Sequence, residues 1–252
     1  MRLLAAAAAA LALAGPARAQ TMLDQEQRLI DIHSLLLDLP AVQAPGALAA
    51  GELSASAELV TIPTIDGTTG SKRQITASDR TPVFPRPRLA LGLPLAGGLR
   101  AFVGGAYIPP VRINEVSTHD LSAEAGVALA AGWLRAGLRL HGLVARSSSP
   151  VTDPSTRDVL TTRAGGAEVS VGASLAAGPA LRVEPYASAG LVSLSGRFRV
   201  TSDGNVLASR HTGPALAAGA RLLVRGRLEL AGEVNAYPGR LVHPALRAGW
   251  VF

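Results

Sequence analysis

Ser122, His141 and Asp120 are the residue types of nucleophilic acyl transfer: a hydroxyl, a base to take its proton, and a carboxylate to orient the imidazole. Asp120 and Ser122 stand two residues apart, so an extended chain places them on one face. Pairing outward from a hairpin loop at Ala131-Gly132 sets Ser122 opposite His141, with Asp120 diagonal to it. Acid and hydroxyl then share one strand and the imidazole lies on the next, an order that suits a plain hydrogen bond as readily as a nucleophile and its base. The same pairing sets Glu124 opposite Arg139. A second, built outward from a Val224-Arg225-Gly226 loop, sets Arg221 opposite Glu229. Two separate registers thus bring opposite charges face to face, which lowers the cost of charge in a confined interior. None of the five histidines has metal-ligand spacing to another histidine or a carboxylate on one face, so the sequence suggests neither a metal nor a cofactor. Cysteine is absent, which excludes thiolate chemistry and disulfides.

These positions make sense only on strands. From residue 51 the hydrophobic period is two: Leu53, Ala55, Ala57 and Leu59 alternate with Glu52, Ser54, Ser56 and Glu58. Ten such segments follow, at about 51–62, 83–94, 98–108, 119–130, 133–145, 161–175, 181–194, 212–223, 227–237 and 241–252. Links 2/3, 4/5, 6/7 and 8/9 are short, whereas 1/2, 3/4, 5/6 and 7/8 are longer and polar; the short 9/10 link breaks the pattern. Arg86, Arg88 and Arg247 join the four paired charges on the polar face. Gly126, Ala128, Gly213, Ala215 and Ala217 leave room there for a narrow cleft. Apolar parity shifts between Leu191 and Phe198, which predicts a bulge near residues 192–195. Residues 89–110 carry one charge, Arg100, but their prolines and the Gly97-Gly98 pair argue against a spanning helix.

The two ends agree on a compartment. Met1-Arg2, an apolar stretch from Leu3 to Gly15, and Ala17-Arg18-Ala19 form the three parts of a secretory signal peptide cleaved before Gln20. At the other end Val242, Pro244, Leu246, Ala248, Trp250 and Phe252 alternate with His243, Arg247 and Gly249. This aromatic-terminated ribbon resembles the last strand of a bacterial outer-membrane β-barrel. The resemblance implies a closed antiparallel up-and-down barrel with an even strand count, short periplasmic turns and both termini in the periplasm. It also implies recognition of Trp250 and Phe252 by the barrel-assembly machinery, and outer-membrane lipids as the solvent. Outer-membrane lipid deacylases of this architecture use a comparable Ser/His/acid trio, though in another strand order.

Between the signal peptide (1–19) and the barrel (51–252) lie a helix and a linker (20–50). Thr21-x-x-Asp24 caps a helix whose Met22, Leu29, Ile32, Leu36 and Leu39 share a face, and Pro40 stops it. The favoured placement is periplasmic, as a leader packed on the barrel's lower rim; a plug inside the lumen is the alternative. Charged residues make up 17% of the chain, low enough for a lipid-facing surface. Loss of Arg2 and Arg18 leaves 22 basic residues against 18 acids, near +4, spread singly with no basic aromatic tract for nucleic acid. The function expected is non-enzymatic: an integral outer-membrane barrel of structural or surface-contact type. Two alternatives stand beside it, a narrow channel or binding protein for small solutes, favouring anions if arginine is in excess inside, and a lipid-acting hydrolase at Ser122, His141 and Asp120.

Overall fold

The computed structural model describes residues 22–61, 83–113, 116–150 and 155–252. The predicted signal peptide lies outside them, as does the whole of the first long link. A helix, α1 (Met22–Leu36), precedes ten long strands. These are β1 (Leu53–Thr61), β2 (Val83–Pro94), β3 (Leu99–Ile113), β4 (Val116–Ala131), β5 (Leu134–Ser149), β6 (Asp158–Ala173), β7 (Leu181–Arg199), β8 (Val206–Val224), β9 (Leu228–Tyr237) and β10 (Leu241–Val251). A two-residue piece, Leu175–Ala176, continues β6 in the same register against β7. Each strand pairs antiparallel with its neighbours in sequence, and β1 pairs with β10 from Ser54↔Val251 to Leu59↔Leu246. That last ladder closes the sheet into a barrel. Closure removes the free edges that an open sheet would present.

Alternation decides which side chain faces where. Along β2, Arg86, Arg88 and Ala90 are buried, while Leu89 and Leu91 are exposed. Along β10, Ala245 and Arg247 are buried and Leu246 and Trp250 exposed. The outside is therefore the greasy side and the inside the charged one. Strands β3 to β8 run further than the hydrophobic pattern suggested. Link 3/4 shrinks to the step from Ile113 to Val116, because both strands continue past a register shift at Ile108/Val111 that accommodates Pro109 and Pro110. The bulge expected at 192–195 is not there: β6 and β8 hold unbroken registers with β7 through those residues. Phe198 is apolar and inward, and it packs on Ile30 of α1.

The placement of α1 corrects the rim reading. Helix and linker lie inside the barrel. We call the end that carries Leu53, Phe252 and the turns at 132–133 and 225–227 the lower end. Helix α1 sits at the opposite, upper end. Its Ile30 touches Leu160 and Phe198, Ser34 Oγ lies 3.1 Å from Thr162 Oγ1, and Ser209 donates to Asp31 Oδ1 at 2.7 Å. The helix stops at Leu36, short of the Leu39 expected from sequence, and residues 37–50 descend the lumen without regular structure. Leu35, Leu37, Leu39 and Val42 are all but inaccessible. At the bottom the chain turns, Gly51 N–H bonds Gly92 C=O at 2.9 Å, and β1 begins. Inward glycines make this passage possible. A Cβ at Gly196 would stand 2.3 Å from Ile30 Cγ2, and one at Gly92 1.9 Å from the Ala49 carbonyl oxygen.

The chain lacks cysteine, so a Ser34→Cys/Thr162→Cys pair is a clean probe of this placement. Oxidation of the folded protein is expected to join most molecules through that pair, seen as a mobility shift reversed by thiol. A helix docked at the lower rim would leave both thiols free.

Candidate functional site

Five arginines rise from the wall into the lumen, each fully or almost fully buried: Arg86 and Arg88 on β2, Arg139 on β5, Arg221 on β8 and Arg247 on β10. Every one meets a carboxylate. Arg86 bonds Glu58 at 2.7 Å and Asp120 at 3.1 Å; Arg88 bonds both oxygens of Glu124, at 2.7 and 2.6 Å. Arg139 bonds Glu124 at 2.8 Å and also Glu168. Across the barrel Arg221 bonds Glu184 at 2.7 Å and Glu229 at 3.0 Å, and Arg247 bonds Glu229. Acid and guanidinium thus alternate along two chains, Asp120–Arg86–Glu58–Arg88–Glu124–Arg139–Glu168 and Glu184–Arg221–Glu229–Arg247. A buried charge left alone costs far more than one shared between two opposite charges. No arginine excess exists here to select anions.

The same guanidiniums hold the inner segment. Arg86 donates to the carbonyls of Leu37 and Asp38, each at 3.0 Å, Arg88 to Pro40 at 2.9 Å and Arg139 to Leu39 at 2.7 Å. Lower down, Arg100 donates to Gly46 at 3.0 Å and Arg221 to Ala47 at 3.3 Å. An irregular segment cut off from bulk water must find donors for its carbonyls, and arginine supplies several on one side chain. Some of its N–H groups are met by acids. Val42 N–H bonds Glu233 at 3.0 Å and Ala49 N–H bonds Glu52 at 2.7 Å, while Pro40 and Pro45 have no N–H to satisfy. Val42 sits at φ 44, a conformation rare for a β-branched residue. Its side chain is enclosed with Ala231 and Ala245. Asp38 is a second knot: His141 Nε2 lies 3.1 Å from Oδ1, and the Tyr237 hydroxyl donates to Oδ2 at 2.9 Å.

Little space remains. A cavity beside Gln43 and Glu168 holds about 20 Å³, enough for one water molecule.

The candidate trio is not assembled. Asp120 is taken by Arg86 and by the Ile108 N–H at 3.0 Å. His141 is taken by Asp38, and its Nδ1 lies 3.3 Å from Glu168. Ser122 faces Leu143, and its buried Oγ has no partner among the described residues. The error lies in the turn. The β4/β5 hairpin closes on Gly132 and Trp133, one residue later than expected, so Glu124 rather than Ser122 stands opposite His141. The β8/β9 loop likewise moves to Arg225, Gly226 and Arg227, and Arg221 faces Ala231. Each slip moves a partner by two residues and so preserves the face. Long side chains reach diagonally across the difference, and Glu124–Arg139 and Arg221–Glu229 still meet. Trp133 is in the turn and exposed. Trp250 and Phe252 are exposed on the seam strand, with Phe252 N–H bonded to Leu53 C=O at 2.9 Å.

Sequence reasoning missed Asp38, Gln43, Glu168, Glu184 and Glu233. The inward parity that marked Glu124 also marks Glu168, Glu184 and Glu233. Asp38 and Gln43 carry no such signal, because residues 37–50 have no period.

No family model and no curated protein matches the chain. Among solved structures it resembles the beta domain of the Bordetella autotransporter BrkA, at 14% identity over 81% of this chain and 99% of that one, with a TM-score of 0.41. It resembles LpxR from Salmonella typhimurium at 10% identity over 80% and 99%, with a TM-score of 0.37. It also spans 30% of the siderophore receptor PiuA from Acinetobacter baumannii, at 9% identity over 77% of this chain, with a TM-score of 0.35. The likeness is one of fold, a closed antiparallel barrel.

Arg86→Ala leaves Asp120 without a guanidinium, takes one of two from Glu58 and strands two carbonyls. It is expected to destabilise the folded barrel by about 3–5 kcal/mol, read as a lower temperature at which the compact band is lost on a detergent gel. Arg112→Ala, at an exposed position, should stay within about 0.5 kcal/mol. Equal effects would contradict the assigned network.

Proposed function

We propose that the chain is an integral outer-membrane protein of structural or surface-contact type, its barrel stoppered by its own N-terminal segment. One observation carries the reading. Among the described strand residues, outward positions through the lower and middle barrel hold Leu, Val, Ala, Gly and Pro, with Trp250 and Tyr107, and no charge. On β7 this band runs from Leu181 to Leu191, about 33 Å along the strand. A tilt of about 40° reduces it to roughly 25 Å, the height of an outer-membrane barrel's apolar band. Water would penalise such a surface over every strand at once, and hydrocarbon favours it.

On this reading the lower end is periplasmic, because it has the short turns, and α1 occupies the outer mouth. Trp250 and Phe252 stay displayed for the assembly machinery on the seam strand. The filled lumen supports a closed barrel over the solute-channel alternative. The separated Ser122, His141 and Asp120 lend no support to the lipid-hydrolase alternative. Interior charge pairing suits the closed barrel too, since it holds the stopper in place rather than lining a path.

Ala187 lies midway along this band on β7 and is exposed. Ala187→Arg is expected to cost about 2–4 kcal/mol of folding stability in lipid vesicles. On a barrel whose outside met water, that substitution would fall within about 0.5 kcal/mol, and such a result would overturn the proposal.

A further inference from the structure

Above the apolar band the outer surface changes character. Among the described strand residues, every charged outward position is an arginine: Arg112, Arg146, Arg163, Arg197, Arg199 and Arg210. Five of these six gather on β5 to β8. The ladders order them in adjacent rows. Arg146 stands opposite Thr161, and Thr161 opposite Arg197. One step lower, Arg163 stands opposite Ser195, and Ser195 opposite Arg210. The five side chains border a surface recess of about 870 Å³. None of the five takes part in an ion pair with a described residue, in contrast to the lumen, where each buried arginine has its carboxylate. Like charges this close repel one another, so the arrangement favours a multivalent anion.

The row beneath sets the depth. Gly142, Gly165, Ser193 and Thr212 are opposite one another in turn, a shelf without bulk between the guanidiniums and the band. Ser195 is four residues above Leu191, about 13 Å along the strand. With the strand tilt this places the backbone of the Arg163 and Arg210 row roughly 10 Å beyond the top of the hydrocarbon, from where the long side chains reach back to the headgroup layer. Guanidinium forks bind phosphate oxygens in pairs.

We propose that this face of β5–β8 is a binding site for a phosphorylated lipid of the surrounding leaflet, its phosphates held by Arg163, Arg197 and Arg210 and its acyl chains lying on the apolar band. The inference rests on the membrane reading above and adds to it a ligand class and a side of the barrel. A lipid fits better than a free phosphate because the recess lies above the apolar band on the same outer face, with only small residues between them, so headgroup and chains are satisfied together.

The test uses the full-length protein in phosphatidylcholine vesicles doped with diphosphorylated lipid A or with the same lipid stripped of both phosphates. After extraction into mild detergent, native mass spectrometry counts the lipid retained. The phosphorylated form is expected to remain bound and to resist millimolar inorganic phosphate. The stripped form should be lost. Arg163→Gln/Arg197→Gln/Arg210→Gln should cut retention at least tenfold, while Arg112→Gln, on β3 and outside the recess, leaves it unchanged. Heat-modifiable gel mobility of both variants shows that they fold. Equal retention by the triple variant, equal retention of the stripped lipid, or displacement by inorganic phosphate each overturns the proposal. Wild-type protein that inserts into the vesicles without preferring either lipid refutes this site alone. Protein that does not insert refutes the membrane reading beneath it.

Discussion

A chain segment without regular structure, enclosed where bulk water cannot reach, must have its carbonyls satisfied by the walls around it. Residues 37–50 set that requirement, and the barrel's composition follows from it. Arginine can neutralise a wall carboxylate with one edge and donate to a carbonyl with another. Arg86, Arg88, Arg139 and Arg221 all do both. A lysine would offer a point charge and lose the fork. The lumen is therefore an interface between wall and stopper, and its charges hold the two together.

The two surfaces of the sheet obey opposite rules. Inside, each buried guanidinium has its acid, Gly92 and Gly137 lie against the inner segment, and the cavity beside Gln43 and Glu168 holds about one water. Outside, among the described strand residues, outward positions of the lower and middle barrel carry no charge, and those that are charged are arginines at the upper end. A barrel that met water on both faces would have no use for that division.

Strands were legible because the alternation of apolar and polar residues is a direct imprint of the pleat, and Arg86/Arg88 and Leu89/Leu91 alone fix the facing of β2. Parity survived errors in both hairpin loops, since each partner moved by two residues and kept its face. The Ser122–His141 pairing did not survive, because an actual contact needs the turn itself, and one residue in the loop at Gly132-Trp133 decides it. The position of α1 was not legible from its apolar face. That face says the helix is covered without saying by what. A hint was present in the inward glycines and in Phe198, an apolar residue on the polar parity. Read as outward, Phe198 demanded a bulge; it points inward because the upper lumen contains Ile30. The carbonyls that the arginines grip leave no trace in residue type, so nothing in the sequence could announce them.

Solvent access along the inner segment tests this account most directly. With no native thiol, Leu39→Cys and Ala44→Cys each place one probe deep in the lumen, at positions now 0% and 2% exposed. In folded protein both should resist a membrane-impermeant maleimide for hours and react fully after boiling, while Ala177→Cys in the exposed lower turn reacts at once. Rapid labelling of residues 39 and 44 in the folded barrel would mean that the segment lies outside the lumen, and the arginine network would lose its purpose.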